Sequence, residues 1–486
     1  MLPYLPMNNA FKLLVPLAAL VAVNCSSKKT DPTMPVVDPP VVTAPVKTEV
    51  AYWLTMPDQS VLFKKQNVAL NFGTTTNTNP VIEVDTTKTY QSIDGFGYTL
   101  TGGSATLING LKADVKESLL KELFATDSTH IGVSYIRLSI GASDLSAVPF
   151  TYDEPTGSTD VNLQNFSLDK EKTDLLPVLK KILTINPDIK ILACPWTAPI
   201  WMKTNGRYKG GSLKPEYYEA YANYFVKYIQ GMKAEGINID AITPQNEPLN
   251  PDNNPSMLML PAEQGAFIKG FLGPKFKAAN IATKIILYDH NTDRTDYPLS
   301  IMADADANAY VDGSAFHLYA GSIDALSQVH NAFPAKNVYF TEQWVGGPGN
   351  FSGDLQWHIS NLIIGATRNW SRNVLEWNLA ADPNYNPHTD GGCTTCLGAL
   401  TIGSSVTRNV AYYIIAHASK FVRPGSVRIA SNTTGNLPNV AFKNTDGKKV
   451  LIVLNSSAIT QSFNIKFNGK QVSPVLSGGA VATFVW

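Results

Sequence analysis

The sequence predicts an α/β protein: a (β/α)8 TIM barrel with an appended β-sandwich built from both ends of the chain. Beyond about residue 90, short apolar runs alternate with amphipathic stretches of helical period, which is typical of a parallel sheet with crossover helices. There are eight such runs, the number of strands that closes a barrel. Towards both ends of the chain, short β-branched runs separated by turn residues predict antiparallel β structure.

The predicted barrel elements follow one another in a regular order. Among the helices, PEYYEAYANYFVKYIQGMKAEG places Tyr218, Tyr221, Phe225 and Ile229 at spacings of three to four residues, and SSVTRNVAYYIIAHASKFV supplies the last helix. The predicted strands are SIDGFGY, SYIRLSIG, IKILACPW, IDAITPQN, KIILYDHN, GSAFHLY, NVYFTEQW and NVLEWNLA.

The N-terminus predicts export. Lys12 precedes eleven apolar residues, Leu13 to Val23, a run too short to span a bilayer but suited to a signal-peptide core. Cys25, which follows after Asn24, resembles the lipid-modified cysteine of a bacterial lipoprotein. We therefore expect a periplasmic or outer-membrane lipoprotein, whose contact with a membrane is through that lipid alone.

The domain boundaries follow from these patterns. The stretch after Cys25 is rich in Pro and Thr and has no apolar periodicity, so it predicts an extended tether. We expect a signal peptide over 1–25, a linker over 26–50, sandwich strands over 51–90, the barrel over 91–422 and the rest of the sandwich over 423–486.

Charge and cysteine content limit the functional classes. Lys plus Arg equals Asp plus Glu at 39 each, so no basic field is present to attract nucleic acid, and a neutral partner such as a sugar fits better. Cys393 and Cys396 form a CxxC for which a local disulfide is expected, since a zinc site needs two more ligands and only His388 is near. Cys194, in an apolar run, predicts a buried thiol.

Two glutamates end predicted barrel strands. Glu247 in AITPQNEPLN ends the fourth and Glu342 in VYFTEQW the seventh, 95 positions later (342 − 247). Active sites of parallel barrels lie at the C-terminal ends of the strands, so both would face one pocket. A carboxylate beside Asn and Pro is also common in ordinary turns. A pair of them is the equipment for glycosidic bond cleavage, and their separation decides between retention and inversion.

Seven motifs in order and spacing resemble glycoside hydrolase family 30, the glucosylceramidase-like glycosidases, over roughly residues 50 to 486. The motifs are ITPQNEP, YFTEQW, ACPWTAPIWMKTNG, YIRLSIGASDLS with NFSLDKEKTDLLPVLKK, SAFHLYAG, LEWNLA and AHASKFVRPGSVRI. The resemblance implies a retaining double displacement, with Glu247 as acid/base and Glu342 as nucleophile. No phosphate loop and no His pair with metal spacing is present in the sequence, and no metal or other cofactor is implied.

The resemblance also implies roles for six other residues. Asn246 would bond the sugar 2-hydroxyl, and Arg137 would keep the nucleophile ionised. The residues implied to line the sugar subsite are Trp196, His317, Tyr319 and Trp377. Taken singly, each has a structural alternative: a packed Trp, a satisfied core His, or an Arg paired with a structural acid.

One stretch departs from the pattern of the glucosylceramidases. In GFGYTLTGGSA, Gly102 stands where that pattern has an Asp that binds glucose hydroxyls, and Tyr98 stands where it has a glycine. The sequence therefore indicates a β-glycosidase for β-1,6-glucan or β-gluco-oligosaccharides. Glucosylceramidase, β-xylosidase or β-fucosidase specificity stays open, as does a non-catalytic glycan-binding surface lipoprotein. The oligomeric state is not predicted.

Overall fold

The computed structural model describes residues 47–486, and a closed eight-stranded parallel barrel forms its centre. Each strand pairs in parallel with the next along the chain, and the eighth pairs with the first. All eight predicted strands are confirmed. In chain order they are Gly95–Thr99, Tyr135–Ser139, Lys190–Cys194, Ala241–Ile242, Lys284–Asn291, Val311–His317, Asn337–Glu342 and Ser371–Asn378.

The fourth strand is shorter than predicted. It comprises Ala241–Ile242, so Glu247 lies five residues beyond its end (247 − 242) rather than in it, in a turn where its φ is 44°. Glu342 is the last residue of the seventh strand, as expected. One catalytic candidate is therefore placed by a strand and the other by a loop.

Helices surround the barrel. The helix predicted from Pro215 begins with a 3-10 turn and continues as Tyr218–Ala234, with all four of its periodic apolar residues buried. Two other helices continue through π-helical segments, Ile268–Leu272 and Ile359–Ala366. The α-helices are Gly102–Asn109, Ala113–Phe124, Leu175–Ile185, Tyr218–Ala234, Pro261–Phe267, Gly273–Ala278, Asp296–Met302, Ala305–Asn308, Ala325–Ala332, Phe351–His358 and Val410–Ser419.

The appended domain contains strands from both chain ends, as predicted. Its nine-stranded sheet is antiparallel except that Asn464–Phe467 runs parallel to Val81–Ser92, a pair the sequence pattern did not predict. In spatial order the strands are Lys64–Lys65, Ala51–Thr55, Val481–Val485, Lys449–Leu454, Asn439–Lys443, Val427–Ser431, Val81–Ser92, Asn464–Phe467 and Lys470–Val472. Gln461–Ser462 and Val475–Leu476 form a small two-stranded sheet. In the chain these two strands flank the last two strands of the nine-stranded sheet, Asn464–Phe467 and Lys470–Val472.

The sandwich begins before residue 51, the boundary expected from the sequence, so the linker ends earlier. Val50 is fully buried and its N–H donates to the carbonyl of Leu70. Thr48 Oγ1 also donates to Leu70 O, at 3.0 Å. These contacts assign residues 48–50 to the sandwich. The signal peptide, Cys25 and the linker up to residue 46 lie outside the described residues, so they remain predictions.

The sandwich and the barrel are joined through the last helix. His417 is fully buried, with Nδ1 2.9 Å from Thr483 Oγ1 and Nε2 2.8 Å from Thr55 Oγ1. One threonine comes from each end of the chain, so both termini are tied to the same barrel helix. Within residues 47–486, no helix combines the length and the apolar character needed to cross a lipid bilayer.

A layer of interior side chains fills the barrel below the site. It contains one buried residue from each of seven strands: Tyr135, Leu192, Ala241, Ile286, Ala315, Tyr339 and Leu375. Alternate residues of a strand point to the same side, so Arg137, two positions after Tyr135, also points into the barrel, one level higher. The interior layer thus forms the base on which the charged groups of the site rest.

Candidate active site

A cavity of about 710 Å³ opens at the C-terminal ends of the barrel strands. Both predicted catalytic glutamates line it, together with three of the predicted aromatic residues. The position agrees with the general location of active sites in this fold. Its lining includes Asp144, Trp196, Asn246, Glu247, His290, Tyr319, Glu342, Trp344, Trp377 and Cys393.

The two glutamates lie close together. One oxygen of each carboxylate and a ring nitrogen of His317 all lie within 4.8 Å of one another. Retaining glycosidases hold their two carboxyl groups about 5–5.5 Å apart, and inverting enzymes about 6.5–9.5 Å apart. The short separation of the two carboxylates fits the retaining class, in which one carboxylate attacks the sugar carbon directly.

Arg137 holds Glu342 from below. Its Nη1 donates to Glu342 Oε2 at 2.5 Å, and its Nη2 donates to Asn246 Oδ1 at 2.6 Å and to Asp289 Oδ2 at 2.9 Å. The guanidinium is fully buried and lies behind the cavity-lining carboxylate of Glu342. Its assignment to the substrate-binding residues stays a prediction. Its contact with Glu342 agrees with the expected role of stabilising the ionised nucleophile.

Asp289 is a central residue that the sequence analysis missed. It is fully buried in the fifth strand and accepts hydrogen bonds from Arg137, Thr243 and Thr341, while the Cys194 thiol donates to it at 3.0 Å. Burial raises the pKa of this carboxyl, but Arg137 and His317 outweigh that effect and hold it well below its usual range. A lone Asp inside the apolar run KIILYDHN was the available signal.

His317 lies between the carboxylates of Glu247 and Asp289. It is fully buried, with Nδ1 3.3 Å from Glu247 Oε1 and Nε2 3.1 Å from Asp289 Oδ1. Burial lowers its pKa, but the charge of Glu342 and the bonds to Asp289 and Glu247 raise it to about 9. Its ring therefore lies directly against the cavity-lining Glu247. The expected contact with the sugar stays a prediction.

The pKa values of the two glutamates reflect this network. For Glu247, burial raises the pKa, but the hydrogen bond and charge of His317 outweigh it and lower it to about 2. For Glu342, burial raises the pKa and the charge of Glu247 adds to that, against the opposing pull of His317 and Arg137. Between the lowered pKa of Glu247, about 2, and the raised pKa of His317, about 9, the two side chains together hold one proton. The pair therefore acts as the acid.

Aromatic side chains form the cavity wall as expected. Trp196 and Trp377 stack with ring centroids 5.4 Å apart, and the Arg137 guanidinium lies 4.9 Å and 5.7 Å from their centroids. Tyr319 is 38% exposed and its hydroxyl donates to Glu342 Oε1 at 2.9 Å. The Tyr319 contact leaves the nucleophile with donors on both oxygens, which fixes its orientation towards the cavity.

Gly102 and Tyr98, the two departures from the glucosylceramidase pattern, both lie outside the cavity lining. Tyr98 is buried and its hydroxyl donates to the carbonyl of Ala411 in the last helix, so the ring points away from the cavity. Gly102 starts a helix and does not line the cavity. The carboxylate on the wall is instead Asp144, from the quoted motif YIRLSIGASDLS. Among the described residues its Oδ1 is buried without a hydrogen-bond partner.

The three groups within 4.8 Å, Glu247, His317 and Glu342, could also be considered as metal ligands. Glu342 already accepts hydrogen bonds from Arg137 and Tyr319, and Glu247 accepts one from Asn250 Nδ2 at 2.7 Å. A divalent cation would also lie next to the guanidinium of Arg137, which would repel it. The donor set fits acid/base chemistry better than ligation.

Two carboxylates at short separation above a barrel, walled by aromatic rings, define a glycoside hydrolase. The comparisons agree with this class. The family model described as the glycosyl hydrolase family 30 TIM-barrel domain matches residues 93–422, and that of the family 30 β-sandwich domain matches residues 425–484. The chain belongs to glycoside hydrolase family 30 and is an O-glycosyl hydrolase.

Several relatives are similar over most of the chain. The endo-1,6-β-D-glucanase neg1 of Aspergillus fumigatus is 36% identical over 75% of this chain and 79% of its own length. The lysosomal acid glucosylceramidase of Mus musculus is 29% identical over 85% and 84%. Among solved structures, the endo-β1,6-glucanase BT3312 superposes with a TM-score of 0.85 at 37% identity, covering 90% of this chain and 99% of that one.

The shared proton predicts the effect of replacing His317. In the wild type, the upper pH limit of kcat/KM follows loss of the proton from the pair, near the raised pKa of about 9. In His317→Gln the proton must reside on Glu247 alone, whose carboxyl releases it at lower pH. We expect the basic limb of the kcat/KM profile to move to lower pH, with roughly tenfold less activity above it for each pH unit of movement.

A matched control is His358→Gln. His358 also pairs with a buried carboxylate, Glu376, at 2.8 Å, but it lies outside the cavity. Its profile should match that of the wild type. A His317→Gln profile with an unmoved basic limb would show that Glu247 does not depend on this histidine for its proton.

Proposed function

We propose that this enzyme is a retaining endo-1,6-β-glucanase, which cleaves the β-1,6-glucosidic bonds of glucan by double displacement. The observation that carries the mechanism is the separation of the Glu247 and Glu342 carboxylates, which is within 4.8 Å between their nearest oxygens. The observation that favours the substrate is the similarity to three endo-1,6-β-glucanases at 35–36% identity over about three quarters of the chain.

In the first step the glycosyl group is transferred from the leaving glucan to Glu342. The carboxylate attacks the anomeric carbon while the Glu247–His317 pair delivers its proton through Glu247 to the leaving oxygen. Arg137 and Tyr319 donate to the two oxygens of Glu342 before attack, so the nucleophile is oriented without further rearrangement. The bond to the leaving glucan breaks as the ester to Glu342 forms.

In the second step a water molecule replaces the leaving group. Glu247, now without its proton, accepts a proton from this water, whose oxygen attacks the anomeric carbon and releases Glu342. The ester removes the negative charge of Glu342, which was the largest favourable influence on the His317 proton. Loss of that charge lowers the pKa of the pair. The pair therefore stays deprotonated after the first step, which is the state in which Glu247 can accept a proton from water.

Asn246 is suited to bind a hydroxyl of the reacting sugar. Its Oδ1 accepts from Arg137 Nη2, so its amide N–H groups are the ones left to face the cavity. A donor held next to the nucleophile can strengthen its bond to the sugar 2-hydroxyl as charge develops in the transition state. Arg137 thereby fixes both the nucleophile and the amide that flanks it.

The two glutamates should respond differently to substitution. Glu342→Gln is expected to abolish turnover of every substrate, because no ester can form. Glu247→Gln is expected to retain turnover of aryl glycosides whose leaving group needs no proton, and added azide should accelerate it by replacing water in the second step. Initial rates with and without azide measure both. Equal behaviour of the two variants would contradict the assignment of roles.

The substrate assignment predicts a preference that can be measured directly. β-1,6-Gluco-oligosaccharides should be cleaved with a higher kcat/KM than glucosylceramide at one pH, and proton NMR of early product should show the β-anomer first. Faster cleavage of glucosylceramide would favour the other specificity found among the relatives. Binding of glucan without any cleavage would favour a non-catalytic glycan-binding protein.

We further propose that the enzyme is exported and anchored by a lipid on Cys25, at the end of the Pro/Thr-rich linker. The support is the sequence alone: an eleven-residue apolar run that ends at Val23, two positions before this cysteine. A radiolabelled fatty acid fed to expressing cells should be incorporated into the wild type and not into Cys25→Ala. Equal labelling of the two, or none in either, would contradict the anchor.

A further inference from the structure

One short segment, residues 389–397, touches several loops around the cavity. We refer to it as the disulfide segment, because it contains the bond between Cys393 and Cys396. Its only regular structure is the two-residue strand Cys396–Leu397. Such a segment has few backbone hydrogen bonds of its own to hold its shape, so its conformation depends on the covalent link and on its contacts with neighbours.

The disulfide segment holds Asp144 at three points. The N–H of Thr389 donates to the Asp144 carbonyl at 2.8 Å, and the N–H of Cys393 donates to its Oδ2 at 3.3 Å. Gly392 approaches so closely that a Cβ there would lie 2.5 Å from the Asp144 carbonyl oxygen. With Oδ2 engaged, Oδ1 is the oxygen left without a partner among the described residues, and Asp144 lines the cavity.

The same segment is attached to both catalytic loops. Cys396 pairs with Gly346, four residues after the nucleophile Glu342 (346 − 342). On the other side, Asn254 Nδ2 in the loop after Glu247 donates to the carbonyl of Asp390 at 2.7 Å. The disulfide segment therefore has a defined position relative to both carboxylates.

The disulfide also packs on the aromatic wall. Cys396 belongs to a buried cluster with Leu145, Trp196 and Trp377, against which Cys393 and Trp344 also pack. Cys393 is thus fixed by its bond to a buried partner, and it is Cys393 whose N–H holds Asp144. Without that link, the donor would be free to move away from the carboxylate.

The chemistry of Asp144 makes this donor important. Burial and the nearby charges of Glu342 and Glu247 raise its pKa to about 7, so they oppose its ionised form. The N–H of Cys393 acts in the opposite direction, since a hydrogen bond to the carboxylate favours ionisation. The free Oδ1 can accept a hydrogen bond from a sugar hydroxyl. By favouring the ionised form, the Cys393 N–H makes that bond charge-assisted.

We propose that the disulfide segment is a positioning element, which holds Asp144 so that its Oδ1 accepts a hydrogen bond from a hydroxyl of the glucosyl unit bound at the point of cleavage. The identity of the sugar rests on the proposed function. The positioning itself rests on the contacts of Asp144 with Thr389, Gly392 and Cys393. The disulfide acts on the substrate through Asp144.

A double-mutant cycle tests whether the disulfide acts through Asp144. Its members are the wild type, Asp144→Asn, the paired substitution Cys393→Ser with Cys396→Ser, and the combination of all three. The measurements are kcat and KM for a β-1,6-gluco-oligosaccharide and the Kd of the glucose-shaped iminosugar 1-deoxynojirimycin. Asp144→Asn should weaken binding by about tenfold or more, the contribution of one charge-assisted hydrogen bond.

The expected result is non-additive. Removing the disulfide should weaken binding of the sugar several-fold in the wild type, and by less than about twofold when Asp144 is already Asn. Equal losses in both backgrounds would mean that the disulfide stabilises the fold or contacts substrate independently, and would overturn the proposal. So would unchanged binding after removal of the disulfide.

Gly392→Ala gives a second variant in case the double serine variant does not fold. It keeps the disulfide but pushes the segment away from the Asp144 carbonyl, so it should show the same non-additivity with Asp144→Asn. Thr394→Ala is the matched control, because Thr394 is exposed in the same segment and does not line the cavity; it should bind like the wild type. Additivity for Gly392→Ala would also reject the proposal.

If the wild type binds the iminosugar but does not cleave β-1,6-glucan, the proposed substrate is refuted. The Kd values of the iminosugar for the four proteins still test the positioning role of the disulfide segment. The converse is also distinguishable. Normal glucan cleavage with an additive cycle would refute the positioning role and leave the proposed function standing.

Discussion

The buried guanidinium of Arg137 is the charge on which the upper end of the barrel depends. It donates hydrogen bonds to the carboxylates of Glu342 and Asp289 and so stabilises both negative charges. It also donates to the amide oxygen of Asn246 and so orients that side chain. Breaking a buried ion pair by removing one partner typically costs about 3–5 kcal/mol, because the remaining charge stays desolvated. Here two carboxylates would be left, so catalytic competence and local stability rest on the same side chain.

The barrel strands fix the positions of Arg137 and Glu342. Arg137 follows Tyr135 of the interior layer by two residues on a short strand hydrogen-bonded on both sides, so its direction is set by the sheet and by packing below it. Glu342 ends a strand in the same way. Glu247 has no such support, and its loop is held instead by the bond of its N–H to the carbonyl of Asp289 at 2.9 Å. Asp289 therefore connects the acid/base to the guanidinium through backbone and side chain together.

Strand number, domain arrangement and the glutamate pair were predictable from the sequence, because each depends on periodicity and on the rule that parallel strands end together. The direction of individual side chains was not. Asp289 has φ of 69° at an irregularity in the fifth strand, which turns it inward where simple alternation cannot be applied. Tyr98 is a related case, because the resemblance identifies its position, but only its packing against the last helix shows where its ring points. Asp144 lies in a loop, and its importance arises from contacts with a segment about 250 residues away.

The interleaved termini of the sandwich have a consequence for how the chain is made. The last strand, Val481–Val485, lies between the N-terminal strand Ala51–Thr55 and Lys449–Leu454. On a ribosome, the strand Ala51–Thr55 therefore emerges 430 residues (481 − 51) before its partner Val481–Val485. During that interval one side of it presents unpaired backbone groups, a template for association with other nascent chains. A factor that covers this strand until Val481–Val485 has been made would therefore protect the nascent chain from such association.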